Sequence, residues 1–410
     1  MANLSSGAAT ATLSQPQVLG RLLPISLLVF CCFLTLGIML PVLPLFVHQQ
    51  LGFGTVTVGV VIGAQSLAAL LTRAHAGQMA DSRGAAVAVR RGLWLVAAAG
   101  VLHLLAAYTH AQAELSLGLL LWGRLTLGAG ESLAGTGLLS WGLGRVGLPN
   151  AGRVMAWVGI AMYAAIALGA PLGMLLQGQL GFVAAAAAVL TLPLLALAIS
   201  RLIPTVALPA GVREPFYRVL GAVWQPGLGL AMGSVGFSAI AAFISLHFAS
   251  RGWANASATL SAFGAAYIGT RLFLAGLPDK LGGARIALVC LVIESAGQLL
   301  LWQADTQWLA FAGAALTGLG FSLVFPAFGV EAVKRVVPAS RGSALGAYAA
   351  FFDLALGVAG PLLGLVASGY GYEAVYLAGA MTVAGALPIA ASLLRAQPRQ
   401  AASMALGGTK

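Results

Sequence analysis

The sequence predicts an all-α integral membrane protein: twelve transmembrane helices in two similar six-helix bundles. Three observations point there. Charge is too sparse to wet a globule of this size, apolar runs alternate with loops of contrasting basicity, and the two halves repeat one another at fixed offsets.

Of 410 residues, 60% are hydrophobic and 8% charged, and the mean hydropathy is +0.95. A soluble domain carries about 25% charged residues, so much of this surface must face lipid. A net charge of +11 would suggest nucleic acid on a soluble protein. Here the Arg residues fall in short loops and no basic stripe interleaves with aromatics, so no nucleic-acid partner is expected. Cys31, Cys32 and Cys290 lie inside apolar runs without metal-ligand spacing, which predicts buried, reduced thiols and no metal or other cofactor.

A membrane-spanning helix needs about 20 apolar residues. Twelve runs qualify, near 21–48, 55–76, 92–110, 115–144, 154–180, 182–203, 223–250, 256–277, 286–303, 308–334, 344–369 and 373–395. Met1 to Gln17 is polar without Lys or Arg, and the run after it is too long for a signal-peptide core, so it is expected to stay as span 1. The loops after spans 2, 4, 8 and 10 and the central loop hold Arg83, Arg90, Arg91, Arg145, Arg153, Arg201, Arg213, Arg218, Lys280, Arg285, Lys334, Arg335 and Arg341. The opposite loops hold Glu114, Arg251, Asp305 and Glu373. The positive-inside rule then places both termini in the cytoplasm. The expected organisation is a tail at 1–20, a bundle at 21–203, a cytoplasmic loop at 204–222, a second bundle at 223–395 and a tail at 396–410, in a monomer of a bacterial inner membrane.

The halves resemble each other. Arg73, Asp81 and Gly84 recur as Arg271, Asp279 and Gly282, an offset of 198. At an offset of 190, Gly128, Gly130, Leu133, Arg145, Gly152, Pro171 and Leu172 fall on Gly318, Gly320, Leu323, Arg335, Gly342, Pro361 and Leu362. Parallel repeats about a midplane site are a transporter architecture.

Local motifs sharpen this. The loop Gly77-Gln78-Met79-Ala80-Asp81-Ser82-Arg83-Gly84, with a weaker copy at Asp279-Lys280-Leu281-Gly282, resembles the signature loop of the major facilitator superfamily. Arg124, Gly128 and Gly130 in span 4 are similar to the Arg-Gly motif of that family. Gly169-Ala170-Pro171-Leu172-Gly173 and Gly360-Pro361-Leu362-Leu363-Gly364 resemble the Gly-Pro motif of its drug:proton antiporters, and the surrounding wording resembles the bacterial YhhS-type branch. The resemblance implies a major facilitator fold, a conformational switch at Gly77, Asp81, Arg83, Gly84, Asp279 and Lys280, and helix packing through Gly169, Pro171, Gly173, Gly360, Pro361 and Gly364. It also implies that Asp81 meets the N-terminus of span 11, where Ser340 and Ser343 are candidate caps.

Ionisable groups inside a bilayer each cost roughly 2.5–3.5 kcal/mol at mid-span and persist only with a partner or a use. They are Arg124, Glu131, Glu294 and Asp353, with His103 and His247 as weaker cases. At 1.5 Å per residue Glu131 lies about 21 Å from Arg145, and Asp353 about 15 Å from Ser343, both near the midplane. Arg124 is seven residues from Glu131, on the same side of span 4. A carboxylate balanced between burial and an arginine can load and release a proton. Asp353, Glu131 and Arg124 are therefore the proton-coupling candidates, with hydrogen bonding between helices as the alternative for each. Glu294 and the two histidines fit structural roles better.

Candidates for the substrate cavity are Gln65, Trp157, Tyr163, Phe243, Phe325 and Phe328, with Ser238 and Gln298 as further polar groups. Their aromatic weight suits a small amphiphilic compound better than a sugar. The expected function is proton-coupled efflux by alternating access. An importer or uncoupled facilitator of a metabolite or sugar is the alternative, and an intramembrane enzyme or sensor a remote one. Gly142-Leu143-Gly144-Arg145-Val146-Gly147 spells a dinucleotide fingerprint but ends a membrane helix instead of following a strand. Gly130-Glu131-Ser132-Leu133 lacks a fixed base for serine chemistry. No enzyme activity is expected.

Overall fold

A computed structural model describes residues 15–147, 150–206, 216–336 and 341–395, and every regular element among them is helical. Span 1 is Gln15–Leu45, beginning within the segment assigned to the tail, and runs into a π-helical turn at Phe46–Gln50. Pro41 and Pro44 lack the N–H that the ladder needs, and the widened turn follows them. Spans 2 to 6 are Thr55–Ser82, Ala85–Tyr108, Ala113–Val146, Ala151–Leu180 and Phe182–Ser200. Span 7 is broken at Ser234 into Phe216–Gly233 and Val235–Arg251. Spans 8 to 11 are Ala256–Leu274, Gly283–Trp302, Gln307–Val333 and Arg341–Tyr370, with a five-residue helix Leu277–Leu281 after span 8. Span 12 starts as Tyr372–Gly385 and continues to Arg395. Most of the central loop, from residue 207 to 215, and the two candidate caps Ser340 and Ser343 lie outside the described residues or side chains.

Ten of these helices are long and apolar enough to cross a membrane. The two that fall short are spans 4 and 8, which carry Arg124, Glu131 and Arg271. Their polarity is spent inside the protein: Arg124 is 2% exposed and Arg271 9%. The outside is apolar instead, with Trp94, Trp122, Leu71 and Phe273 all more than half exposed, as a lipid-facing surface requires.

The repeat read from the sequence is a repeat in space. Span 3 packs on spans 4 and 6, as span 9 packs on 10 and 12. Span 1 packs on 5 and span 2 on 4, as span 7 packs on 11 and span 8 on 10. Single residues follow. Gly128 lies against the Gln65 carbonyl and Gly318 against that of Phe263. Gly130 lies against Gly92 and Val96, and Gly320 against Cys290 and Glu294. The offsets of 198 and 190 hold at each contact. Gly84 and Gly282 open spans 3 and 9 at φ of 101° and 93°, a region that residues with a Cβ rarely enter.

The two bundles meet along two seams, span 2 against span 11 and span 5 against span 8. Away from the termini the first seam is backbone against backbone. Gly59 touches the Gly360 carbonyl, Gly63 touches Gly357, and Thr55 Oγ1 donates to the Gly364 carbonyl at 2.9 Å. Absence of side chains is what permits this approach. Toward the termini, Gly77 and Gly346 have nothing within 4 Å of where a side chain would stand. The Gly59, Gly63 and Thr55 contacts close the seam at the end away from the termini.

Candidate functional site

Between the bundles sits a small cavity of about 50 Å³. Its apolar walls include Leu36 and Leu40 of span 1, Ile62 of span 2, Phe237 of span 7 and Leu356 of span 11. Its polar lining is Gln65, Ser66, Arg124 and Ser238. Beside it runs a string of charged and amide groups. Gln65 Nε2 donates a short hydrogen bond to Glu131 Oε2. Arg124 Nε donates to the Val61 carbonyl at 3.3 Å, and its Nη1 is buried without a partner. Below them Arg73 Nε donates to Asp353 Oδ2 at 2.5 Å, and Arg73 Nη2 completes an ion pair with the same oxygen.

That ion pair crosses from one bundle to the other. Asp353 is 6% exposed, while the Arg73 side chain is 25% exposed. One end of the pair is thus sealed and the other reachable by water. A buried pair that loses one charge leaves the other stranded, so a change in the charge of Asp353 is felt directly by the contact between the bundles. Glu131 keeps Oε1 without a partner, a vacant acceptor beside Gln65.

The sequence candidates distribute unevenly about this centre. Gln65, Ser238 and Arg124 line the cavity, and Glu131 adjoins it through Gln65. Tyr163 lies in an aromatic cluster on the other seam, its ring 3.7 Å from that of Tyr267. Phe243 is fully buried, Phe328 is buried against Gly229, and Phe325 packs 5.1 Å from the ring of Tyr348. Trp157 packs against Val18, Leu22, Val146 and Val154 near the terminal end. Aromatic type alone does not say which way a helical side chain points. Arg73, which the structure pairs with Asp353, was not among the candidates, although it recurs in the sequence as Arg271.

The remaining candidates are structural in placement. His103 is buried with Nδ1 2.6 Å from the Ala99 carbonyl, and His247 sits between the rings of Trp253 and Tyr376. Glu294 is fully buried in the second bundle beside Gly236, and Gln298 donates to the Gly236 carbonyl and to Thr317 Oγ1. Gly169 and Gly173 pack on Gly37 and Ile38 of span 1, whereas Gly360, Pro361 and Gly364 pack on span 2, across the seam. Pro171 faces outward. Asp81 ends span 2, half-buried, with Arg83 and Lys280 exposed. The side chain of Asp279 lies outside those described. All three cysteines are free and buried.

Comparison with known proteins agrees with this architecture. The family model of the Major Facilitator Superfamily matches residues 25–293 and 227–405. An MFS-type transporter of Pseudomonas aeruginosa is 48% identical over 379 residues, covering 92% of this chain and 94% of its own. One from Burkholderia mallei is 46% identical over 375 residues, 91% and 92% of the two chains. Among solved structures, the human organic anion transporter MFSD10 superposes with a TM-score of 0.68 at 16% identity, over 92% of this chain and 100% of that one. The E. coli fucose:proton symporter FucP gives 0.66 at 14% identity, over 92% and 99%. At such identities these two speak for the fold. With a family model spanning both bundles and relatives near half identical along nearly the whole length, the chain belongs to the major facilitator superfamily and is a multi-pass membrane transporter, not an enzyme.

Proposed function

We propose that the protein exports a small, amphiphilic organic compound across a bacterial inner membrane by proton-coupled alternating access, as a monomer with both termini cytoplasmic. The carrying observation is the Arg73–Asp353 pair, an ionisable contact placed on the seam that must open and close. Protonation of Asp353 cancels the attraction across the seam, and re-ionisation restores it. Glu131, one hydrogen bond from the cavity through Gln65, is the second proton station. Arg124, on the same span as Glu131, contributes a fixed positive charge to the cavity wall.

The basic loops assign the terminal face to the cytoplasm. The Gly59 and Gly63 contacts close the seam at the opposite end, which suits loading from the cytoplasm and export. The bacterial relatives support the inner membrane, and the drug:proton antiporter resemblance of the Gly-Pro segments supports antiport. The test uses proteoliposomes carrying an imposed pH gradient and a pH-sensitive dye, probed with a set of amphiphilic organic ions. Probe-dependent collapse of the gradient is expected in the native protein and absent in Asp353→Asn and Glu131→Gln. Probe flux with no response to the gradient in native protein removes proton coupling from the mechanism.

A further inference from the structure

The offsets that align the halves also align the two seams, residue for residue. On one seam stand Gln65, Arg73, Glu131 and Asp353. Adding 198 to the first two gives Phe263 and Arg271, adding 190 to Glu131 gives Phe321, and subtracting 190 from Asp353 gives Tyr163. The structure assembles the second four as it assembles the first. Phe263 and Phe321 have ring centroids 6.1 Å apart, and Tyr163 is 5.9 Å from Phe263 and 6.3 Å from Phe321. Only the arginine is common to both sets.

Arg73 has a carboxylate, and Arg271 has none within ion-pair distance among the described residues. Its Nε donates to the Ser322 carbonyl at 3.0 Å and its Nη2 to Tyr267 Oη at 2.8 Å, with the guanidinium carbon 5.2 Å from the Tyr267 ring. Neutral acceptors and a ring face hold the side chain without cancelling its charge. Nη1 faces the bare backbone of Gly159. Glu294, the acid deepest in the same bundle, faces Gly236 and makes no pair with Arg271. A largely buried guanidinium whose Nη1 makes no hydrogen bond among the described residues is suited to a carboxylate oxygen. The aromatic rings beside it offer a flat apolar surface.

We infer that Arg271 and the Tyr163, Tyr267, Phe237, Phe263 and Phe321 rings form a binding site for an aromatic carboxylate, which takes up the counter-ion role that Asp353 plays for Arg73. Phe237 belongs to both the cluster and the cavity wall, so the site is reached from the cavity. In this conformation Tyr163 is stacked on Tyr267 at 3.7 Å and fills the place of the ligand ring. Binding displaces it as the span 5–span 8 seam parts. The inference gives a substrate class to the transport reading above and rests on it for direction, but the binding itself needs no proton gradient.

Calorimetric titration of the purified full-length protein in detergent tests it with 2-naphthoate, 2-naphthamide and cyclohexanecarboxylate. Native protein is expected to bind 2-naphthoate at least tenfold tighter than either of the others. Arg271→Gln abolishes the preference for carboxylate over amide. Tyr163→Asp abolishes it too, by supplying an internal carboxylate, and stands in if Arg271→Gln does not fold. Arg91→Gln, at an exposed arginine of span 3 away from the cavity, keeps the preference. Equal affinity for acid and amide, no binding of 2-naphthoate to native protein, or a preference lost in Arg91→Gln and kept in Tyr163→Asp overturns the site. Selective binding that persists in native protein lacking any response to a pH gradient removes the coupling and leaves the site standing.

Discussion

The two seams of this transporter are built on one plan and made of different chemistry. At one, span 2 meets span 11 through glycine backbones and an Arg73–Asp353 ion pair. At the other, span 5 meets span 8 through stacked tyrosines, a Ser261 hydroxyl donating to the Ala167 carbonyl at 2.6 Å, and Arg271, which has no acid partner among the described residues. An ion pair changes strength when a proton arrives, and stacked rings do not. On the proposed reading the polar seam responds to protons and the aromatic seam to a ligand, so that each biases the same rocking motion separately.

The largest effect expected on this division is from Asp353→Asn. Gradient-driven flux should fall to background, while naphthoate binding at the aromatic seam survives. The variant also leaves Arg73 unpaired. A fully buried charge stripped of its partner costs about 3–5 kcal/mol, but Arg73 is a quarter exposed and screened by water, so roughly 1–2 kcal/mol of stability is expected to go. Restoration of stability by a second change, Arg73→Gln, would show that the loss came from the stranded charge. If Asp353→Asn instead kept its response to the gradient, the assignment of proton sensing to this seam would fail.

A smaller but still large effect is expected from Gly59→Ala. The new methyl would meet the Gly360 carbonyl, which is backbone and cannot turn aside. Overpacking of that kind costs about 1–3 kcal/mol, borne only while the far end of the seam is shut. The population open at the far end should rise about tenfold, read as faster alkylation of a cysteine placed at Ile62 in the cavity wall by a membrane-impermeant reagent. Ser257 occupies the position of Gly59 on the other seam and already carries a side chain. Ser257→Ala should therefore leave the labelling rate unchanged. Equal responses from both variants would mean that the two seams close by the same packing.

Much of the fold was legible because lipid imposes a coarse code. Apolar runs near 20 residues and arginines on alternate loops gave twelve spans, and the two that are least apolar, spans 4 and 8, were still delimited by their neighbours. The repeat was legible wherever residue type was kept, at Gly128 and Gly318 or Arg73 and Arg271. The site was half legible for a related reason. Arg124 and Gln65 line one cavity, with Glu131 bonded to Gln65, because spans 2 and 4 pack within one bundle. The partner of Asp353 lies 280 residues away on the other bundle, and nothing local announces a contact that exists only when two bundles close. The aromatic counterpart was hidden for the opposite reason: the positions repeat but the residues do not, so an alignment by identity passes over Phe263 and Gln65.

The smallest effect, and the finest test of the contrast, is Tyr267→Phe. It removes the Oη that accepts from Arg271 Nη2 at 2.8 Å and keeps both the ring beneath the guanidinium and the stack on Tyr163. A hydrogen bond to a charged group contributes about 1.5–3 kcal/mol when its loss leaves nothing in exchange. Here the Ser322 carbonyl and the ring face remain, so the loss should sit near ~1 kcal/mol, the middle of the range for ordinary hydrogen bonds. The thermal midpoint of the purified protein should drop by less than it does in Asp353→Asn. The freed donor should strengthen naphthoate binding slightly, since the carboxylate gains a second N–H. A drop larger than that of Asp353→Asn would mean that Arg271 depends on the tyrosine as Arg73 depends on its acid, and the arginine would then be satisfied from within and not waiting for a ligand.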